Sequence, residues 1–69
     1  MRVLITGASS LPGYRTALIM LKRGHEVIGT CFSHEIPINH ERMVKVKVDI
    51  RNREALETLF KEHEPDVVV

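Results

Sequence analysis

A single cysteine, Cys31, excludes an intramolecular disulfide. With no charged-then-apolar leader ahead of the first apolar segment, a reducing cytoplasm is the expected compartment. Long hydrophobic runs are also missing. The longest, Ala17 to Leu21, falls far short of the ~20 residues needed to span a bilayer, so no membrane partner is expected. Neither sign of charge is in excess, because ten Lys and Arg oppose nine Asp and Glu for a formal net charge of +1. The signs are interspersed, which leaves no electrostatic footprint for nucleic acid or an anionic lipid surface. The histidines His25, His34, His40 and His63 show no metal-ligand spacing, so no metal site is expected.

What is present suits one small globular domain. Hydrophobic residues at 43% and charged residues at 28% are near the average for folded soluble domains, which argues against disorder. A chain of 69 residues buries only about 60% of its unfolded surface, so its core has little stability in reserve.

Period and punctuation divide the sequence into six segments. Val3-Leu4-Ile5 is a continuous apolar strand, followed by a loop and a helix from about Leu11 to Arg23, with Pro12 in its first turn and Gly24 as its stop. Gly13, Ala17, Met20, Leu21 and Gly24 share the inward face, while Leu18 and Ile19 fall beside outward charges and are expected to be exposed, one or both. Glu26 to Cys31 reads as a second strand, and Phe32 to Glu41 as a polar connection broken by Pro37. Met43 to Val48 alternates, with Val44, Val46 and Val48 on one face and Met43, Lys45 and Lys47 on a wet one. Arg51 to His63 reads as a helix capped by Asn52, with Ala55, Leu56, Leu59 and Phe60 as its apolar stripe. Val67-Val68-Val69 is the fourth strand.

This alternation with short connections predicts an α/β fold: a four-stranded parallel sheet in order 3-2-1-4 with two crossover helices. The lysine-bearing third strand belongs at an edge. Strand four, wholly apolar, would form the other edge, which predicts self-association through Val67 to Val69.

The chemistry concentrates in Thr6-Gly7-Ala8-Ser9-Ser10-Leu11-Pro12-Gly13, between a strand and a helix. Backbone amides in such a turn, with the positive end of the following helix, can hold a pyrophosphate without any cationic side chain. Gly7 suits the sharp turn and Gly13 the close packing of helix on strand. Ser10 stands where a middle glycine is usual, and its side chain either crowds the phosphate or offers it a hydroxyl donor. After strand two, where dinucleotide sites often carry Asp or Glu for the ribose hydroxyls, the sequence runs Cys31-Phe32-Ser33-His34. No carboxylate is in place there, and Glu35 follows too late. Ser33 and His34 can instead meet a 2′-phosphate, which tilts the cofactor from NAD toward NADP. Asp49, after strand three, either accepts from an adenine amino group or serves as a turn or cap for the next helix. Cys31 has no His or Lys placed by sequence to activate it and reads as a buried structural thiol.

Met1 through Ser9 with Leu11 and Gly13, then Arg23-Gly24-His25-Glu26-Val27-Ile28-Gly29, Val48-Asp49-Ile50, Glu54-Ala55-Leu56 and Pro65-Asp66-Val67-Val68-Val69 resemble the amino-terminal part of an extended short-chain dehydrogenase/reductase. Within that superfamily the chain is most similar to the dTDP-dehydrorhamnose reductase and sugar-nucleotide epimerase group. The resemblance implies a partial Rossmann fold, an NAD(P)-binding half-domain over residues 1–69 that stops after strand four. It places Gly7, Ser9, Ser10, Leu11 and Gly13 at the phosphate loop, Cys31 to His34 at the adenosine ribose, and Asp49 with Ile50 beside the adenine. It implies no catalytic residue in this chain, since the family's Ser or Thr and its Tyr-x-x-x-Lys pair have no counterpart. Two readings follow: the cofactor-binding segment of an NAD(P)-dependent sugar-nucleotide reductase or epimerase, or a non-catalytic binding or interaction module.

Overall fold

The computed structural model describes residues 1–69. Six elements follow one another: β1 (Arg2–Ile5), α1 (Leu11–Lys22), β2 (Glu26–Cys31), β3 (Met43–Lys47), α2 (Arg53–His63) and β4 (Val67–Val68). The strands form one parallel sheet in the order β3-β2-β1-β4, as the sequence pattern predicts.

Side-chain alternation along β1 divides the core into two layers. Val3 and Ile5 point to the α1 side, where they join Ala17 and Leu21 of the helix, Val27 of β2 and Ala8 of the loop. Leu4 points to the other side and packs with Ile28, Val48 and Leu59 of α2. All three β1 core residues are at most 1% exposed, as expected of a strand covered on both faces.

The helix ends have local causes. Pro12 lies in the first turn of α1, where no amide acceptor is required, and Gly24, at φ +88°, carries the chain out of the helix. Asn52 caps α2, its side-chain oxygen accepting from the Ala55 N–H at 3.2 Å. The helix therefore begins at Arg53 rather than Arg51, because residues 49–52 are held in a turn in which the Asn52 N–H donates to the Asp49 carbonyl at 2.9 Å. Only Leu59 of the α2 stripe is fully buried. Ala55 and Leu56 are half-buried, and Phe60 lies outward. On α1, both Leu18 and Ile19 are exposed.

The connection after β2 departs most from its polar reading. Ile36 and Ile38, on either side of Pro37, are 1% and 5% exposed and pack in the α1-side core with Met43. Met43 shares a strand face with Lys45 and Lys47, yet it is buried because this connection folds over it. Gly29 leaves the space into which Met43, Ala8 and Ile36 converge. The strand's wet face is thus reduced to its two lysines.

Arg2 fastens the opposite end of the sheet. Its N–H donates to the Asp66 carboxylate at 2.8 Å, its Nε to Glu26 at 3.3 Å and a terminal guanidinium nitrogen to the His63 carbonyl at 3.0 Å. One residue thereby joins β1, β2 and the end of α2 through its side chain and the entry to β4 through its backbone amide.

Ile36→Ala should lower unfolding stability by about 2–4 kcal/mol in urea denaturation, because it leaves a cavity under the connection. Ile19→Ala, at an exposed site, should stay within about 0.5 kcal/mol. Equal effects would contradict the burial of the connection.

Candidate functional site

At the carboxyl edge of the sheet, β1 runs into a turn that two hydrogen bonds tie to β2. The Gly7 N–H donates to the Thr30 hydroxyl at 3.1 Å and the Ala8 N–H to the Thr30 carbonyl at 3.1 Å. Gly7 adopts φ +67°, a conformation that other residues reach only with strain. The Ser10 N–H then donates back to the Gly7 carbonyl at 3.0 Å, and the Tyr14 N–H to the Ser10 carbonyl at 2.8 Å as α1 begins. A Cβ on Gly13 would overlap the Gly7 carbonyl oxygen and crowd the Ala8 Cα, so hydrogen at this position lets the helix start lie against the turn.

The amides of Ser9, Leu11 and Gly13 donate to no acceptor within the chain. They sit at the positive end of α1, whose first turn carries no acidic side chain. Unpaired amides combined with the helix dipole make this a place where an anion is favoured. The Ser10 hydroxyl donates to the Gly7 carbonyl at 2.6 Å, closing the turn on itself.

Beside the turn lies a cleft of roughly 290 Å³ walled by Gly7, Ser9, Cys31, Phe32, Ser33, His34, Asp49 and Ile50. These eight candidates therefore meet in one place, while Ser10, Leu11 and Gly13 stand outside its wall on the turn and helix start. Phe32 and Ile50 are 53% and 57% exposed, which puts apolar surface at the cleft. Cys31 is half-buried, not fully buried as the sequence suggests, because it ends β2 at the cleft rim.

Thr30, Val48 and Arg51 also line the cleft and escaped the sequence reading. Thr30 sits where β-branched residues are ordinary strand formers, and only its polar oxygen within a buried strand gave a signal. It is 1% exposed. The sequence pattern places Val48 in the flanking strand and Arg51 in the flanking helix, and both lie at the edge because β3 stops at Lys47 and α2 starts at Arg53.

Asp49 closes a turn here, and the cap of α2 belongs to Asn52. Its carboxylate accepts from the Arg51 N–H at 2.9 Å, from Arg51 Nε at 3.1 Å and from a terminal guanidinium nitrogen at 3.0 Å. The Arg51 side-chain bonds, followed by the backbone bond, hold the Asp49 carboxyl below the usual carboxylate range. A carboxylate offers about four lone-pair positions, so one remains for a donor from a ligand.

The largest depression, roughly 730 Å³, lies at the opposite edge among Arg2, Glu26, Arg42, Asp66 and their neighbours. It is open, almost wholly polar and partly bridged by the Arg2 bonds, and ligands of open parallel sheets bind at the carboxyl ends of the strands. We therefore place the site at the turn and its cleft. No cluster of three or more His, Cys, Asp or Glu converges anywhere, and no helix is long and apolar enough to cross a membrane.

Residues 3–69 match the NAD dependent epimerase/dehydratase family. An uncharacterised oxidoreductase of Schizosaccharomyces pombe is 36% identical over 61 residues, covering 87% of this chain and 21% of that protein. Among solved structures, the Bordetella bronchiseptica enzyme WbmH in complex with NAD+ is similar with a TM-score of 0.87 at 25% identity, over 97% of this chain and 24% of that one. A short chain dehydrogenase from Leptospira borgpetersenii with bound NAD+ gives a TM-score of 0.85 at 26% identity, over 97% of this chain and 29% of that one. This chain thus spans between 21% and 29% of the length of these relatives.

Replacing Arg51 by Ala should raise the Asp49 pKa toward the ordinary carboxylate range, read by NMR titration of the side-chain carboxyl carbon. The sign follows from linkage: a carboxyl lowered in the folded state adds stability above its unfolded pKa and loses it as pH falls through the folded one. An unchanged Asp49 titration in the variant would contradict the pairing.

Proposed function

This chain belongs to the NAD dependent epimerase/dehydratase family, and we propose that its turn and cleft bind the adenosine diphosphate half of a nicotinamide dinucleotide. The single observation that carries this reading is the set of unpaired amides of Ser9, Leu11 and Gly13 at the start of α1, beside the cleft. The residues present fit the group: amides for the pyrophosphate, Phe32 and Ile50 as apolar surface for the adenine, and an open acceptor position on Asp49 for its amino group. Ser33 and His34 face the adenosine ribose in this reading. With no carboxylate among Cys31 to His34, they favour NADP(H) over NAD(H).

Within the family we place the chain with sugar-nucleotide reductases and epimerases of the dTDP-dehydrorhamnose reductase type, on the residues that carry that resemblance. Bound nicotinamide would supply hydride exchange with a sugar-nucleotide carbonyl. This chain's part is to bind and orient. Its one tyrosine, Tyr14, is followed four residues later by Leu18, so it offers no Tyr-x-x-x-Lys pair to hold and move the proton. The lone cysteine is in keeping with the cytoplasm as the working compartment.

The outer edge of β4 supports a second element of the proposal, pairing of two chains. Val67, Val68 and Val69 are 40%, 52% and 55% exposed, and an apolar strand with one unpaired edge is a template for another strand.

Titration with NADPH should shift the amide resonances of Ser9, Leu11 and Gly13. Gly13→Ala should weaken binding about tenfold or more, the loss expected when a charge-assisted bond is displaced. Unmoved loop amides would contradict the site. The purified chain should oxidise no NADPH with any nucleotide-sugar, and measurable turnover would overturn the non-catalytic role. Sedimentation should show concentration-dependent association that a lysine at Val68 abolishes, whereas a monomer at every concentration would contradict pairing through β4.

A further inference from the structure

We infer that Lys47, with Lys45 beside it, recognises a phosphate monoester on the adenosine ribose and so sets the preference for the 2′-phosphorylated dinucleotide. The inference rests on the nucleotide-binding reading above and adds to it a second recess that adjoins the first. Cys31, the last residue of β2, pairs in register with Lys47, and Gly29 with Lys45. Register partners on neighbouring parallel strands, about 4.8 Å apart, present their side chains to the same face of the sheet. Cys31, Lys45 and Lys47 accordingly line one recess of roughly 270 Å³ with Glu35 and Ile36. Cys31 also walls the larger cleft, so the two spaces meet at the end of β2.

That junction is the position at which a parallel-sheet dinucleotide site reads the ribose, a carboxylate accepting from a free 2′-hydroxyl and a cation accommodating a 2′-phosphate. No carboxylate stands among the four residues from Cys31 to His34. Two lysines and a single acidic residue, Glu35, line the recess, and neither lysine forms an ion pair, since the chain's salt bridges join Arg2 to Glu26 and Arg51 to Asp49. The Arg51 guanidinium, across the cleft, is already committed to both Asp49 oxygens. Lys45 Nζ donates to the Asn39 side-chain oxygen at 3.3 Å, which orients it and leaves further donors. Lys47 makes no hydrogen bond to the protein through its ammonium group, so it is the least committed cation beside the ribose position. An ammonium group suits a monoester dianion as a point charge.

The test compares NADPH with NADH, and adenosine 2′,5′-bisphosphate with AMP, by titration of the 69-residue chain at low ionic strength. The 2′-phosphorylated member of each pair should bind about ten- to a hundredfold more tightly, the range expected of one charge-assisted contact. Lys47→Glu should remove that advantage by weakening the 2′-phosphorylated ligands while NADH loses no affinity, and Lys47→Arg should keep it. In a parallel readout, adenosine 2′,5′-bisphosphate should slow alkylation of Cys31 by iodoacetamide more than AMP does at equal concentration. Equal affinities within each pair, or a preference that survives Lys47→Glu, would overturn the assignment and leave the nucleotide site standing. Failure of both dinucleotides to bind would overturn the nucleotide reading and this inference with it.

Discussion

Thr30 uses both of its oxygens to hold the turn after β1, the hydroxyl accepting from the Gly7 N–H and the carbonyl from the Ala8 N–H, each at 3.1 Å. The residue is 1% exposed, so water cannot replace its hydroxyl, and an orphaned amide there would cost about 1–3 kcal/mol. These two bonds commit the first amides of the turn to the sheet and leave the next ones free. With Gly7 at φ +67° reversing the chain, α1 starts close above β1, and the amides of Ser9, Leu11 and Gly13 are left without protein acceptors. An anion site built this way requires no charged side chain. Its geometry is inherited from the pairing of β1 with β2.

The remaining structure keeps that pairing in place from both sides. The α1-side layer is the larger of the two, and the connection after β2 adds Ile36 and Ile38 to it, where they pack with Met43. The α2-side layer is thinner and ends in Val48, next to the turn in which Asp49 is pinned by Arg51. Arg2 ties the far end.

Strand order and helix placement were legible because they depend on contrasts strong enough to survive in a single sequence. Continuous apolar Val3-Leu4-Ile5 against lysine-alternating β3 fixes centre and edge, and short connections with right-handed crossovers leave the order 3-2-1-4. Burial of Ile36 and Ile38 was hidden, since two apolar residues around a proline in a polar stretch look like a loop until something is known of what they cover. The start of α2 lies two residues beyond the pattern's because Asp49 and Asn52 are both good turn and cap formers, and only the hydrogen bonds separate their roles. At the site, residues named by their place after a strand met at the cleft. Thr30 and Lys47 carry no such signal because their places are set by the neighbouring strand: Thr30 reaches across to the turn, and Lys47 lies opposite the end of β2. Side chains that act across a sheet leave no spacing signal along the chain.

The most direct test of the anion site is a measurement of scalar couplings across hydrogen bonds between phosphorus and amide nitrogen, on the ¹⁵N-labelled chain saturated with a dinucleotide. Couplings from the pyrophosphate to the amides of Ser9, Leu11 or Gly13, and none to Gly7 or Ala8, are the predicted result. A bound dinucleotide whose pyrophosphate couples to none of these three amides, or whose binding breaks the Gly7 and Ala8 bonds to Thr30, would contradict the account.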